Sequence, residues 1–157
     1  MEPDELDKLS HLLTGDYFCD SRMLLKITVE NNDTTNILYA INDAVIARGS
    51  LSRMMDLSVS VNDKKTCDYR ADGLIFSTPT GSTAYSLSAG GPLVEPTAKN
   101  IILTPICPHS ISARSFVLAP DRVVTAYVTD APGKRKYISL DGYGTFDFEA
   151  GDILRVR

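Results

Sequence analysis

The stretch Met23-Leu24-Leu25-Lys26-Ile27-Thr28-Val29-Glu30 sets Met23, Leu25, Ile27 and Val29 against Leu24, Lys26, Thr28 and Glu30, and it stops at Asn31-Asn32-Asp33. A period of two sends alternate side chains to opposite faces of an extended chain, so this is a strand followed by a hairpin turn. The same reading applies at 37–41, at Met55, Leu57, Val59 and Val61 before Asn62-Asp63, and at 74–76 and 101–103. Further strands are predicted at 115–118, 123–128, 137–140, 145–148 and 153–156. Roughly nine or more short strands with hardly any helical periodicity between them predict an all-β fold, an antiparallel β-sandwich with one or two short helices. One helix is expected at 4–14, where Leu6, Leu9, Leu12 and Leu13 fall at helical spacing between Asp4 as cap and Gly15 as stop.

The chain has 157 residues, 16 Lys and Arg against 20 Asp and Glu, a net charge of −4 and 43% hydrophobic residues. A domain of this size buries roughly 70% of its unfolded surface, enough for one core without disulfide staples. The acidic balance, with no basic run longer than Lys134-Arg135-Lys136, gives no electrostatic footprint for nucleic acid or an anionic membrane. No apolar stretch approaches the ~20 residues of a membrane span, and the acidic Met1-Glu2-Pro3-Asp4-Glu5 is unlike a signal peptide. A cytoplasmic protein is expected. Cys19, Cys67 and Cys107 lie far apart with no CxxC, and the histidines are His11 and His109, so no metal site is expected and the thiols read as reduced core residues.

The pattern breaks at 77–92, Ser-Thr-Pro-Thr-Gly-Ser-Thr-Ala-Tyr-Ser-Leu-Ser-Ala-Gly-Gly-Pro. Pro79 and Gly81 imply a turn, Ser82 or Thr83 can cap a helix, and Gly90-Gly91-Pro92 would end it after little more than two turns. Small hydroxyl-rich segments after a strand often hold phosphates or nucleosides, but the same hydroxyls can simply cap and turn the chain. Tyr85 and Ser88 share one helical face, and Ala84 beside Tyr85 leaves room for a flat ring.

Asp72-Gly73 precedes the strand at 74–76, and Arg70, two residues earlier, would share a side with Asp72 in an extended chain. That is either a surface ion pair or a carboxylate aimed at a ligand by a guanidinium. Asn42-Asp43 closes the run at 37–41 and reads as a turn. The sequence carries no GxxxxGK[ST], no GxGxxG after a strand and no Ser-His-Asp or Cys-His grouping, so no catalytic residue is nominated.

Taken together, Asn42-Asp43, Arg70-Ala71-Asp72-Gly73, the whole run 77–92 and Leu103-Thr104-Pro105-Ile106-Cys107-Pro108-His109-Ser110 resemble the NAD kinase family from about Met23 to Arg157. The resemblance implies an enzyme that phosphorylates the 2′-hydroxyl of the adenosine ribose of NAD to give NADP. Its donor would be ATP or polyphosphate with a divalent metal such as magnesium. In that family an α/β domain with a catalytic Gly-Gly-Asp-Gly motif precedes an all-β NAD-binding domain. By this resemblance residues 23–157 are the second domain and residues 1–22 a helix and linker from the first. The chain is then expected to be a fragment, inactive alone, of an enzyme that assembles as a homo-oligomer, a dimer or tetramer.

The resemblance also implies site residues. Asn42 stands where the family reads adenine, and Asp43 where most members hold ribose hydroxyls with Glu. Asp72, with Arg70 beside it, stands near the nicotinamide amide. Thr80, Thr83, Ala84, Tyr85 and Ser88 match the wall of the dinucleotide cleft. Arg53 falls at a basic or polar ligand contact, and His109 where some members line a neighbouring subunit's pocket. Tyr143 replaces a common Gln, and that contact is not carried over. The alternatives are the second domain of a diacylglycerol or sphingosine kinase relative, whose acyl cleft sits poorly with a hydroxyl-rich 77–92, or a non-catalytic nucleotide-binding module.

Overall fold

The structure is a computed structural model that describes residues 8–31, 34–49, 54–129 and 135–157. Within them lie β1 (Leu25–Glu30), β2 (Thr35–Ala40), β3 (Asp43–Arg48), β4 (Met55–Val61), β5 (Lys64–Ala71) and β6 (Gly73–Ser77). The second half adds β7 (Ile101–Ile106), β8 (Phe116–Leu118), β9 (Val124–Val128), β10 (Lys136–Leu140), β11 (Tyr143–Asp147) and β12 (Ile153–Val156). The helices are α1 (Ser10–Thr14) and α2 (Tyr85–Ser88). The strands form two six-stranded antiparallel sheets, ordered β2-β1-β12-β9-β4-β5 and β11-β10-β3-β6-β7-β8. The sandwich expected from the period-two runs is therefore present, with β3 and β5 beyond the strands predicted.

The alternation decides which side chains meet between the sheets. Leu25, Ile27 and Val29 of β1 and Leu57 and Val59 of β4 face Ala44 and Ile46 of β3, Leu74 and Phe76 of β6, and Ile101 and Leu103 of β7 in one core. All are 5% exposed or less. Each large aliphatic or aromatic side chain so buried contributes roughly 1.5–3 kcal/mol.

The second sheet is also covered on its outer face, which is where the site arises. Asp43, Val45, Ile75, Ser77, Ile102 and Thr104 point away from that core by strand parity and are nevertheless buried. The polar segment after β6 folds back over them. The Ser86 hydroxyl lies 3.0 Å from that of Thr104, and the Ser82 hydroxyl donates to Pro79 O (2.7 Å) and accepts from Val94 N (3.1 Å).

Three expectations need correction. The helix after Gly81 is a 3-10 turn (Thr80–Thr83) and then the single turn α2, with Ala84 at its cap and no side-chain cap bond. Of the two hydroxyls that were to cap it, Ser82's bonds instead to Pro79 O and to Val94 of the return segment, and Thr83's donates to Thr80 O. The N-terminal helix runs Ser10–Thr14 and ends at Gly15 in the left-handed region (φ 76°), but none of its residues is buried. Its Asp4 and Leu6 lie outside the described residues. All three cysteines are free, yet Cys19 and Cys107 are exposed rather than in the core, and Cys67 is half-buried. Among the described residues no helix is long and apolar enough to cross a membrane.

Candidate functional site

The site begins at the bend Ile41-Asn42 between β2 and β3. Three backbone N–H groups at this bend, those of Ile41 (2.9 Å), Asn42 (2.7 Å) and Asp43 (3.0 Å), donate to the carboxylate of Asp141. Asp141-Gly142 is the two-residue turn of the β10–β11 hairpin, with φ of 49° and 73°. Positive φ at both positions is what a type I′ hairpin turn requires, and Asp-Gly is a favoured pair for it.

From the other side, the Asn42 carbonyl accepts the N–H of Thr78 (2.9 Å), and the Thr78 hydroxyl donates to Ile41 O (2.6 Å) while accepting from Gly81 N (3.0 Å). The turn after β6 therefore lies directly on the bend. A Cβ on Gly81 would fall 2.0 Å from Asn42 O, so only glycine permits this approach.

Between these parts opens a cleft of about 310 Å³. Asn42, Asp43 and Val45 line it from the bend and β3, Ala84 and Tyr85 from the segment after β6, and Ser139, Asp141 and Gly142 from β10 and its turn. Tyr85 is 46% exposed, so its ring is a wall of the cleft and not part of the core. The Asp43 carboxyl is buried without a side-chain partner among the described residues. Burial first, and then the nearby Asp141 carboxylate, push its pKa above the ordinary 3.8. The arrangement offers a ring face, a carboxamide, a hydroxyl and an acidic acceptor in one hollow, the set that a nucleoside needs.

The remaining expected residues are distributed around this cleft and beyond it. Thr83 is exposed and its hydroxyl donates to Thr80 O (3.1 Å), a bond within its own 3-10 turn. The Thr80 hydroxyl is buried without a hydrogen-bond partner among the described residues, and Ser88 is exposed on α2. Arg53 lies outside the described residues. Asp72 stands at the far end of the β3–β6 pair, whose register runs from Asp43↔Ser77 to Ala47↔Gly73. Five residue steps of about 3.4 Å separate it from Ser77, which puts it ~17 Å from the Asn42–Asp43 end of the cleft. His109 is further along the same end, where its N–H donates to Arg70 O (2.8 Å).

The pairing of Arg70 with Asp72 is a correction. The chain crosses from one sheet to the other at Asp72, so the two side chains diverge. Arg70 Nε lies 3.8 Å from Asp56, whereas Asp72 is met at 3.1 Å by Arg48 Nη2 of β3, a residue that no sequence pattern singles out. Asp141, Ser139 and Val45 are likewise absent from the residues expected on sequence. The Asp-Gly hairpin signal could have flagged Asp141, but nothing in the sequence announces what its carboxylate touches.

Residues 41–157 match the family model described as the ATP-NAD kinase C-terminal domain. The chain belongs to that family. It is 47% identical over 154 residues to the NAD kinase of Symbiobacterium thermophilum, a match covering 98% of this chain and 54% of that protein. Against the NAD kinase of Caldanaerobacter subterraneus it is 43% identical over 150 residues, covering 95% and 53%. The chain thus spans about half the length of these relatives. The crystal structure of yeast NADH kinase complexed with NADH superposes with a TM-score of 0.91 at 29% identity, covering 98% of this chain and 45% of that one. An NAD kinase from Archaeoglobus fulgidus in complex with ATP gives 0.75 at 24% identity, covering 95% and 55%, a likeness of fold.

Proposed function

We propose that this ATP-NAD kinase C-terminal domain is the NAD-binding part of an enzyme that transfers a phosphoryl group to the 2′-hydroxyl of the adenosine ribose of NAD. The observation that carries the reading is the convergence of Asn42, Asp43 and Tyr85, distant in sequence, on one cleft. Asn42 would read the adenine edge through its carboxamide, Asp43 would accept from a ribose hydroxyl, and Tyr85 would cover a ring. Thr80, Thr83, Ala84 and Ser88 would form the surrounding wall. Yeast NADH kinase, a chain containing the same fold, is complexed with NADH in its crystal structure, and a dinucleotide there supports this substrate class here.

Asp72, Arg70 and His109 are too far from the cleft to serve the same nucleoside within one chain. They fit the reading as contacts to the far end of the dinucleotide or to a ligand held by a second copy, and a symmetric homo-oligomer would supply that copy. The donor would be ATP or polyphosphate with a divalent metal. Among the described residues no group of three His, Cys, Asp or Glu side chains could hold a metal ion, so we assign the metal to no residue of this chain. Free thiols and net negative charge suit a cytoplasmic setting.

Calorimetric titration of NAD into the 157-residue chain tests the reading, with adenosine and nicotinamide mononucleotide as separate arms. Binding of NAD and adenosine, weakened by Asn42→Ala, is expected. Binding of nicotinamide mononucleotide alone, or of none of the three, would overturn it.

A further inference from the structure

We infer that Asp141 is the positioning residue of this cleft: its carboxylate, presented by the β10–β11 turn, locks the Ile41–Asp43 bend and so fixes the aim of Asn42 and Asp43. Four hydrogen bonds join turn and bend. Three run from the Ile41, Asn42 and Asp43 N–H groups to the carboxylate, and the fourth from Asp141 N to Asp43 O (2.9 Å). A bend between two strands leaves its N–H groups outside the ladder, where water would otherwise satisfy them and let the bend move. One ionised acceptor meeting three of them is a charge-assisted cluster, stronger per bond than neutral pairs.

The geometry of Asp141 is itself held. β10 lies in register on β3 with Leu140↔Ala44 as the last ladder pair, so the turn overhangs the bend by one residue. A left-handed φ of 49° then swings the side chain across it. The carboxylate turns three of its roughly four acceptor sites to the bend and acts through Asn42 and Asp43, although it lines the cleft beside them. A site held within ~0.5 Å by such supporting contacts binds better than a looser copy of the same residues.

The role of Asp141 in ligand binding rests on the nucleotide reading above, but its hold on the bend does not. Two variants separate the possibilities. Asp141→Gly keeps the positive φ of the turn and removes the carboxylate. Asp141→Asn keeps an oxygen that can accept from Asn42 and Asp43, which share Oδ1, and loses the acceptor for Ile41. In the 157-residue chain, amide exchange at Ile41, Asn42 and Asp43 should accelerate tenfold or more in Asp141→Gly while Leu74–Phe76 keep their protection. NAD binding should weaken by roughly tenfold or more, and Asp141→Asn should restore most of both. Unchanged exchange at the three amides, loss of protection across the whole sandwich, or an Asn variant no better than Gly would overturn the inference. If the parent chain binds no NAD, the nucleotide reading and the binding role fall, and the exchange arm alone decides the hold on the bend.

Discussion

Arg48 Nη2 lies 3.1 Å from the Asp72 carboxylate and ties the end of β3 to the point where the chain passes between the sheets. Both side chains are about a quarter to a third exposed, so the pair sits between a surface ion pair and a buried one. A double-mutant cycle of Arg48→Ala with Asp72→Asn should give a coupling of about 1 kcal/mol by thermal or urea unfolding. The cycle of Arg70→Ala with Asp72→Asn should give none. The reverse ranking would mean that Arg70 is the partner after all.

Alternation made some strands legible and short apolar runs made others so, β6 and β7 among them although both their faces are buried. In β1 the alternation of Leu25, Ile27 and Val29 with Lys26, Thr28 and Glu30 names both strand and inner face. β3 has no such signal, because the segment after β6 covers its outer face and Asp43–Ile46 are buried in succession, while its leading Asn-Asp pair imitates a turn. β5 escapes for the opposite reason: an edge strand reading Lys-Lys-Thr-Cys-Asp-Tyr-Arg-Ala is mostly exposed, and a polar edge carries little hydrophobic pattern. The missed β3 explains the mistaken partner of Asp72, since Arg48 belongs to it. Of the residues that the resemblance groups, Asn42, Asp43, Ala84 and Tyr85 line one cleft, and that geometry was not legible in the sequence. The Asp141 bonds span about a hundred residues, and local spacing carries no trace of them.

Gly81→Ala should disrupt the cleft with modest damage to the sandwich. The added methyl meets a backbone carbonyl, Asn42 O, which has no rotamer to escape into, so the 3-10 turn must lift from the bend. Overpacking of this kind costs about 1–3 kcal/mol, and binding of NAD should fall further than stability does. Circular dichroism melts set beside calorimetry check it, and unchanged affinity would show that turn and bend need not touch.

Asp43→Asn should raise thermal stability at neutral pH while weakening NAD binding. The native carboxyl titrates above its ordinary 3.8 because burial and then Asp141 oppose its charge. Between 3.8 and the raised native value the folded state therefore binds more protons than the unfolded state. Stability falls as pH rises through that window, and the penalty is complete above it. The variant's advantage in Tm should be full above the window, shrink as pH falls through it, and vanish below it. An advantage independent of pH would place its origin elsewhere.

The 157-residue chain alone should form no NADP from NAD, ATP and magnesium. Its residues offer contacts for a nucleoside, but the sequence contains no Gly-Gly-Asp-Gly and no phosphate-cradling loop. A coupled assay that reads NADP with a specific dehydrogenase would detect turnover. Activity that survives purification to homogeneity and is lost in Asp43→Ala would place the catalytic apparatus inside this domain.

Tyr85→Ala distinguishes a ligand wall from a packing residue. The Tyr85 ring is 46% exposed, and it shares the cleft with Asn42 across the turn that Gly81 allows to close. A fully buried aromatic costs about 3–5 kcal/mol when cut to alanine, so a half-exposed ring should cost clearly less, and unfolding in urea will show it. Stacking of a base on an aromatic is worth ~1–3 kcal/mol, which predicts roughly 5- to 150-fold weaker binding of NAD. Tyr85→Phe keeps the ring and should retain most of the affinity, since no hydrogen bond of the phenol to another described residue is found. If Tyr85→Ala costs stability in the core range and leaves NAD binding unchanged, the ring belongs to the packing. The convergence of Asn42 and Tyr85 would then be a feature of the fold without a role in recognition.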